Sequence, residues 1–250
     1  AAMATDAARI PARDSAAPLL ATRGVEARYG RMQVLWGVDV DVSAGETVLL
    51  LGANGAGKTT FLKTIVGLLP VSGGAISFSG DDIAHLRADR RMRRGIAYMS
   101  ELGVFPDLTI EENIRIGAQR LSTNAAREKA QEMYGLFPVL REKRADLASS
   151  LSGGQRKMLG IAKALAADPR LLVMDEPSAG LSPLFVGEVV RTLGGLRGRG
   201  LSLLIAEQNI GFLDIASRVY VLEGGRIRFS GSVKDMEGDQ ALKKAYFGLK

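Results

Sequence analysis

Three short stretches of this 250-residue chain carry residue types and spacings suited to phosphate chemistry. The first, Gly52-Ala53-Asn54-Gly55-Ala56-Gly57-Lys58-Thr59, fits G-x-x-x-x-G-K-[ST], follows an apolar run and opens a helical stretch. Its glycines let successive backbone N–H groups turn inward on a phosphate chain, with the positive end of the next helix behind them. Lys58 is placed to reach the β and γ phosphates of a nucleotide and Thr59 to hold Mg²⁺; Gly52, Asn54, Gly55, Ala56, Gly57 and Thr60 supply the rest of the nucleotide contact. The second stretch is Asp175-Glu176, at the carboxyl end of the apolar run Leu171–Met174, where open α/β sheets present ligands. There Asp175 suits Mg²⁺, and Glu176 suits a general base that polarises attacking water.

The third stretch, Leu151-Ser152-Gly153-Gly154-Gln155, stands directly before a helical pattern beginning at Met158. Ser152 reads as an N-cap, and Gly153 and Gly154 expose backbone N–H groups, which makes a second anion-binding helix terminus in one chain. A nucleotide has one set of phosphates, already cradled by residues 52–59. The second cradle, Ser152 to Gln155, therefore serves a partner's nucleotide, so two chains close face to face around ATP.

These residues need a scaffold, and the hydrophobic pattern supplies one. Thr47–Leu51, Leu171–Met174 and Leu201–Ala206 are continuous apolar runs of strand length, as in a parallel sheet covered on both faces. Met158, Ile161, Ala162 and Leu165, then Val186, Val189, Val190 and Leu193, recur at helical spacing. From Gln33 to Val42 the even positions Val34, Trp36, Val38, Val40 and Val42 are apolar, which predicts one half-buried antiparallel strand with Leu19–Tyr29 and Ala75–Ser79 beside it. Between about Asp81 and Ser150 the only buried strand run is Gly95–Met99, and Ile110–Gln119 and Ala125–Tyr134 read as charged helices. The fold class is α/β, with an antiparallel β addition and an inserted, mainly helical subdomain. Near the end, Arg218–Leu222 and Arg226–Ser230 flank Glu223-Gly224-Gly225, a hairpin signal.

Composition narrows the chemistry. The absence of cysteine excludes disulfides, thiolate-bound zinc, iron–sulfur clusters and a Cys nucleophile, and a single histidine, His85, excludes a multi-His metal site. No apolar run approaches the roughly 18–20 residues that cross a bilayer, so the chain is expected to be soluble or peripheral to a membrane. Residues 1–18, rich in Ala and without an apolar core, read as a disordered leader. Of the net charge of +6, most comes from Arg87, Arg90, Arg91, Arg93 and Arg94 against Asp89, a local run that reads as a solvated helix face and not as a nucleic-acid surface.

Taken in order, the P-loop, the Leu-Ser-Gly-Gly-Gln stretch and an Asp-Glu pair starting 20 residues after Gln155 resemble the nucleotide-binding subunits of ABC transporters, from about Leu19 to the C terminus. The resemblance implies one ABC ATPase domain over residues 19–250, built on a P-loop NTPase core with the helical subdomain inserted at about 81–165. It implies ATP hydrolysis with Mg²⁺ and an adenine stacked on Tyr29. A closer likeness lies in Glu111–Ala118, Asp175–Pro183, Glu207-Gln208-Asn209 and Ala245-Tyr246-Phe247-Gly248, which look like the second ATPase subunit of branched-chain or hydrophobic amino-acid importers; urea and amide importers have similar ATPases. The partners so implied are integral-membrane permease subunits, a second ATP-binding subunit and, indirectly, a periplasmic or extracellular binding protein, with no nucleic acid. The implied location is peripheral, on the cytoplasmic face of the membrane.

Three positions depart from the wider family pattern. Ser100-Glu101 replaces a Gln that normally contacts Mg²⁺ or water; Glu101 is expected to reach the metal through water. Gln208 stands where most members carry a switch histidine; it can donate to a γ-phosphate oxygen but carries no charge. Ser182 replaces the usual Asp of the preceding loop. The competing reading, an ATP-dependent clamp without a transport role, usually needs two such units or a coiled-coil insertion; this chain shows one unit and neither feature.

Overall fold

The computed structural model describes residues 17–100, 103–196, 200–239 and 242. Residues 1–16 of the expected leader, Glu101 and the Ala245–Gly248 motif lie outside them.

In chain order the strands and α-helices are β1 (Leu20–Tyr29), β2 (Met32–Val42), β3 (Thr47–Leu51), α1 (Lys58–Ile65), β4 (Gly73–Phe78), β5 (Asp81–Asp82), α2 (Ala88–Arg93), β6 (Ile96–Met99) and α3 (Ile110–Gly117). They continue with α4 (Thr123–Leu136), α5 (Pro138–Glu142), α6 (Gly153–Leu165), β7 (Leu171–Asp175), α7 (Pro183–Gly195), β8 (Ser202–Glu207), β9 (Arg218–Glu223), β10 (Arg226–Gly231) and α8 (Val233–Gly238). Six strands form the main sheet in the order β10-β9-β3-β8-β7-β6, parallel except for the β9–β10 hairpin. The other sheet is antiparallel, β2-β1-β4-β5.

The unbroken apolar run of β3 is explained by two cores. Val48 and Leu50 pack into the cluster shared with β1, β2 and α1, whereas Leu49 and Leu51 pack into the cluster built by the helices beyond β6. Both faces of the strand are dry, so alternation is lost. β7 and β8 are likewise buried at every position.

In β2 the expected single phase of alternation fails. Leu35 is fully buried, while Trp36, on the expected buried face, is 42% exposed. The register with β1 shifts between Val25↔Val38 and Glu26↔Trp36, and Gly37 sits there at φ 78°. This bulge carries the extra residue and flips the buried face from Leu35 to Val38, Val40 and Val42.

Within the range 81–165, β5 (Asp81–Asp82) pairs with β4 and β6 (Ile96–Met99) with β7, α2 lies between them, and α3 to α6 run from Ile110 to Leu165. Within it, Thr109 and Glu112 close a capping box at the start of α3. α3 meets α6 so closely that a Cβ on Gly117 would stand 2.0 Å from the Lys163 carbonyl oxygen.

The arginine run is not uniformly solvated either. Arg91 is 1% exposed and its guanidinium donates to four carbonyls: Thr64 (2.7 Å) and Ile65 (2.6 Å) at the end of α1, and Ala84 (2.8 Å) and Leu86 (2.8 Å) in the loop before α2. Burial pushes it down to about 10, against a smaller opposing pull from Asp82, so it stays charged at neutral pH. A cation there satisfies carbonyls that a helix end leaves without partners. Arg87, Arg90, Arg93 and Arg94 remain exposed, with Arg93 paired to Asp89.

Candidate nucleotide site

Strand β3 ends at Leu51, and the chain then loops over to α1. Gly52 is required by close approach: a Cβ there would stand 2.6 Å from the Leu222 carbonyl oxygen of β9. Gly55 (φ 80°) and Gly57 (φ 107°) hold the left-handed backbone that folds N–H groups inward. Gly57 is the N-cap of α1 and has no side-chain cap, so the first turn's N–H groups are left for a ligand. The loop is tethered from outside by Gly225, at the tip of the β9–β10 hairpin. Its N–H donates to the Ala56 carbonyl (2.9 Å), and its carbonyl accepts from the Trp36 N–H (2.9 Å).

Lys58 is 4% exposed. Its Nζ donates to the carbonyls of Gly52 (2.8 Å) and Ala53 (3.2 Å) and lies 3.1 Å from Glu176 Oε1. Thr59 Oγ1 donates to Asp175 Oδ1 at 3.0 Å, so the first turn of α1 meets the end of β7. Thr60, also in that turn, is buried. Asp175 is 3% exposed and accepts a second bond on Oδ2, from the Tyr98 hydroxyl at 3.1 Å. Burial raises its pKa; the bonds from Thr59 and Tyr98 pull the other way.

Glu176 adopts φ 46°, unusual for a residue with a side chain. Such backbone costs about 1–3 kcal/mol and persists where the surroundings hold it. Here the holders are visible. The Glu176 N–H donates to Ala206 of β8 (2.9 Å), and its carbonyl accepts from Ala179 N (3.1 Å) and from Lys157 Nζ of α6 (3.1 Å). Gln208, just past β8, donates through Nε2 to Asn54 Oδ1 (2.7 Å) and Glu176 Oε1 (3.1 Å). Residues from the P-loop, the end of β7 and the end of β8 thus converge on one carboxylate oxygen.

Ser152 and Gln155 form a reciprocal capping box at the start of α6: Gln155 N donates to Ser152 Oγ (3.3 Å), and Ser152 N to Gln155 Oε1 (3.1 Å). The Gly153 side of the turn is exposed, whereas Gly154 is glycine for packing, since a Cβ would stand 2.7 Å from the Phe185 ring of α7. Tyr29 is 44% exposed at the turn between β1 and β2. β2 then runs alongside the P-loop, where Leu35 Cδ2 would be 3.1 Å from a Cβ on Gly57.

The profile of the ABC transporter family matches residues 35–179. The chain belongs to the ABC transporter family. Like its members, this ABC ATPase binds nucleotide and hydrolyses ATP as the energising subunit of a transporter. The high-affinity branched-chain amino acid transport ATP-binding protein BraG of Pseudomonas aeruginosa is 37% identical over 226 residues, covering 90% of this chain and 97% of that protein. The probable branched-chain amino acid transport ATP-binding protein LivF of Archaeoglobus fulgidus is 34% identical over 92% of this chain and 99% of that one. The lipopolysaccharide export system ATP-binding protein LptB of Haemophilus influenzae is 36% identical over 92% and 97%. Among solved structures, an ATP-binding cassette of an ABC transporter in its ADP conformation superposes with a TM-score of 0.82 at 26% identity, over 94% of this chain and all of that one.

Several contacts of the ABC ATPase site had no signal in the sequence. Tyr98 lies in a strand where an aromatic reads as core, and Lys157 reads as an ordinary helix lysine. Glu207 is 2% exposed and accepts three backbone N–H bonds beside the site. Among the described residues no helix is long and apolar enough to cross a membrane.

Proposed function

We propose that this ABC ATPase energises an importer of branched-chain or other hydrophobic amino acids. The observation that carries the catalytic part is the convergence at Glu176 Oε1, 3.1 Å from both Lys58 Nζ and Gln208 Nε2. Phosphates entering the loop would draw Lys58 from its carbonyl partners and satisfy the N–H groups of Gly52 to Thr60, with adenine against Tyr29. Glu176 then polarises the water attacking in line, and Gln208 donates to a γ-phosphate oxygen. Ser152, Gly153, Gly154 and Gln155 face the phosphates bound by a second ATP-binding subunit.

The Thr59 hydroxyl and the buried Asp175 carboxylate are hard oxygen donors 3.0 Å apart, the set Mg²⁺ takes when phosphates and water complete its shell. No cluster of three acidic, His or Cys ligands occurs among the described residues, and Mg²⁺ needs none. Bound there, the ion neutralises charge on the phosphates. Glu101, outside the described residues, would join this set through water.

Identity to the branched-chain and lipopolysaccharide relatives differs little, so the cargo reading rests on particular motifs. Glu207-Gln208-Asn209 and the terminal Ala245-Tyr246-Phe247-Gly248 support the amino-acid reading, with urea or amide uptake as the alternative. In that setting the partners are membrane permeases and, through them, an external binding protein, and the subunit sits on the cytoplasmic face of the membrane. Isolating the intact complex and measuring ATP-driven leucine against urea uptake in proteoliposomes decides it. Glu176→Gln is expected to retain ATP binding and slow turnover by at least ~10²-fold. Unchanged turnover would remove Glu176 as the base.

A further inference from the structure

We propose that Glu207 is a positioning residue that locks the backbone after the catalytic base to the switch glutamine, so that residues 177–182 and Gln208 move as one body. The inference rests on the reading of Gln208 as a γ-phosphate donor. Glu207 ends β8 and pairs in register with Leu51, the residue before the P-loop. Its carboxylate is 2% exposed, a costly place for a charge. No cation among the described residues pairs with it. Three backbone N–H groups do: Oε1 accepts from Ser178 at 2.7 Å, and Oε2 accepts from Gln208 at 3.0 Å and Asn209 at 3.2 Å.

A carboxylate only accepts, with about four lone-pair sites, so it bridges donors that arrive from two directions. One direction is the segment leaving Glu176, buried at Ser178; the other is the turn leaving β8. From that turn the Gln208 side chain reaches Asn54 and Glu176. The Ser178 side continues to Ser182, the N-cap of α7, whose Phe185 packs against Gly154 of the second cradle. Glu207 is thus the joint between the chain's own hydrolytic residues and the element touching the cradle proposed for the partner's nucleotide. A carboxamide has the same shape but turns an N–H₂ toward one set of N–H donors, which opens the bridge; segments that hold each other through it then both lose protection.

The test is Glu207→Gln in the full chain, with amide hydrogen exchange, ATP affinity and turnover measured. Exchange is expected to rise about tenfold to a hundredfold in both 178–182 and 208–211, the effect of losing a hydrogen bond to a charged group, with residues 203–206 unchanged. Turnover falls about tenfold or more while ATP affinity stays within about threefold. In a Gln208→Ala background the same substitution adds less than about threefold, because the effect is routed through Gln208. Loosening of one segment alone, or of neither, overturns the coupling, and a full multiplicative loss in the double variant overturns the route. If instead Gln208→Ala alone leaves turnover intact, the reading of Gln208 fails while the exchange result still judges the joint. Should Glu207→Gln not fold, Glu207→Asp keeps the charge but shortens the reach, and the same two-segment loosening is required of it.

Discussion

Arg91→Met removes the clamp on the end of α1 with little change in side-chain volume. The four carbonyls it serves are not equal. Those of Thr64 and Ile65 belong to fully buried residues, whereas Ala84 and Leu86 are half-buried and water can replace the guanidinium there. An unsatisfied buried acceptor costs about 1–3 kcal/mol, and two give about 2–6. Thr64 keeps the Gly67 N–H at 3.3 Å, and removing a desolvated charge returns part of the cost. The net expectation is about 2–4 kcal/mol, a large share of a typical 5–15 kcal/mol stability. In urea unfolding followed by circular dichroism, with a slope of about 2 kcal/mol/M, the midpoint drops by about 1–2 M. Arg90→Met and Arg93→Met, on the exposed side of the same helix, stay within about 0.5 kcal/mol. Arg91→Lys falls between, since an ammonium has three donors at one point and cannot span four carbonyls. A shift below about 1 kcal/mol for Arg91→Met, or one no larger than its neighbours give, refutes the clamp.

Gly225→Ala places a Cβ 1.8 Å from the Val34 carbonyl oxygen at φ 75°, so the hairpin tip must leave the P-loop. Weaker ATP binding and a lowered melting temperature are both expected, and unchanged binding would sever the link between tether and loop. Gly154→Ala drives a methyl against the Phe185 ring at 2.7 Å; turnover should fall while ATP binding by the single chain is kept, and Phe185→Leu should restore part of the turnover. No rescue would mean that the glycine is needed for another reason. Gln208→His asks whether switching needs charge: if a hydrogen bond suffices, turnover stays within about tenfold and gains a pH dependence near the ordinary histidine value of about 6.5. A loss as deep as that of Gln208→Ala would reject the hydrogen-bond account.

How far the sequence could be read depended on whether a residue's surroundings are local. β3, β7 and their loops are legible because an apolar run followed by glycines, or by paired carboxylates, means the same in any context. The cap of Ser152 with Gln155, three residues apart, is such a local pattern, whereas the bond of Thr59 to Asp175, 116 residues apart, needs α1 to meet the end of β7. Arg91 was not legible: within a run of arginines its burial is set by the carbonyl ends of a helix some twenty-five residues away. The flip at Leu35 and Trp36 depends on a bulge whose only local sign is Gly37. Glu207 reads the same in sequence whether it faces water or three amides, and only the fold of the segment after Glu176 distinguishes them. Tyr98 likewise needs β6 to lie beside β7 before its hydroxyl can find Asp175.

Trp36, the only tryptophan in the chain, hydrogen-bonds the residue that holds the phosphate loop, and Arg226 lies over its half-exposed ring at 5.5 Å. Indole emission responds to neighbouring charge and to hydration. The protein therefore carries an unlabelled fluorescent probe one hydrogen bond removed from Gly225 and two from Ala56. Any nucleotide-driven shift of that loop can be followed in real time, in the native chain, without a dye and without a second indole to confuse the signal.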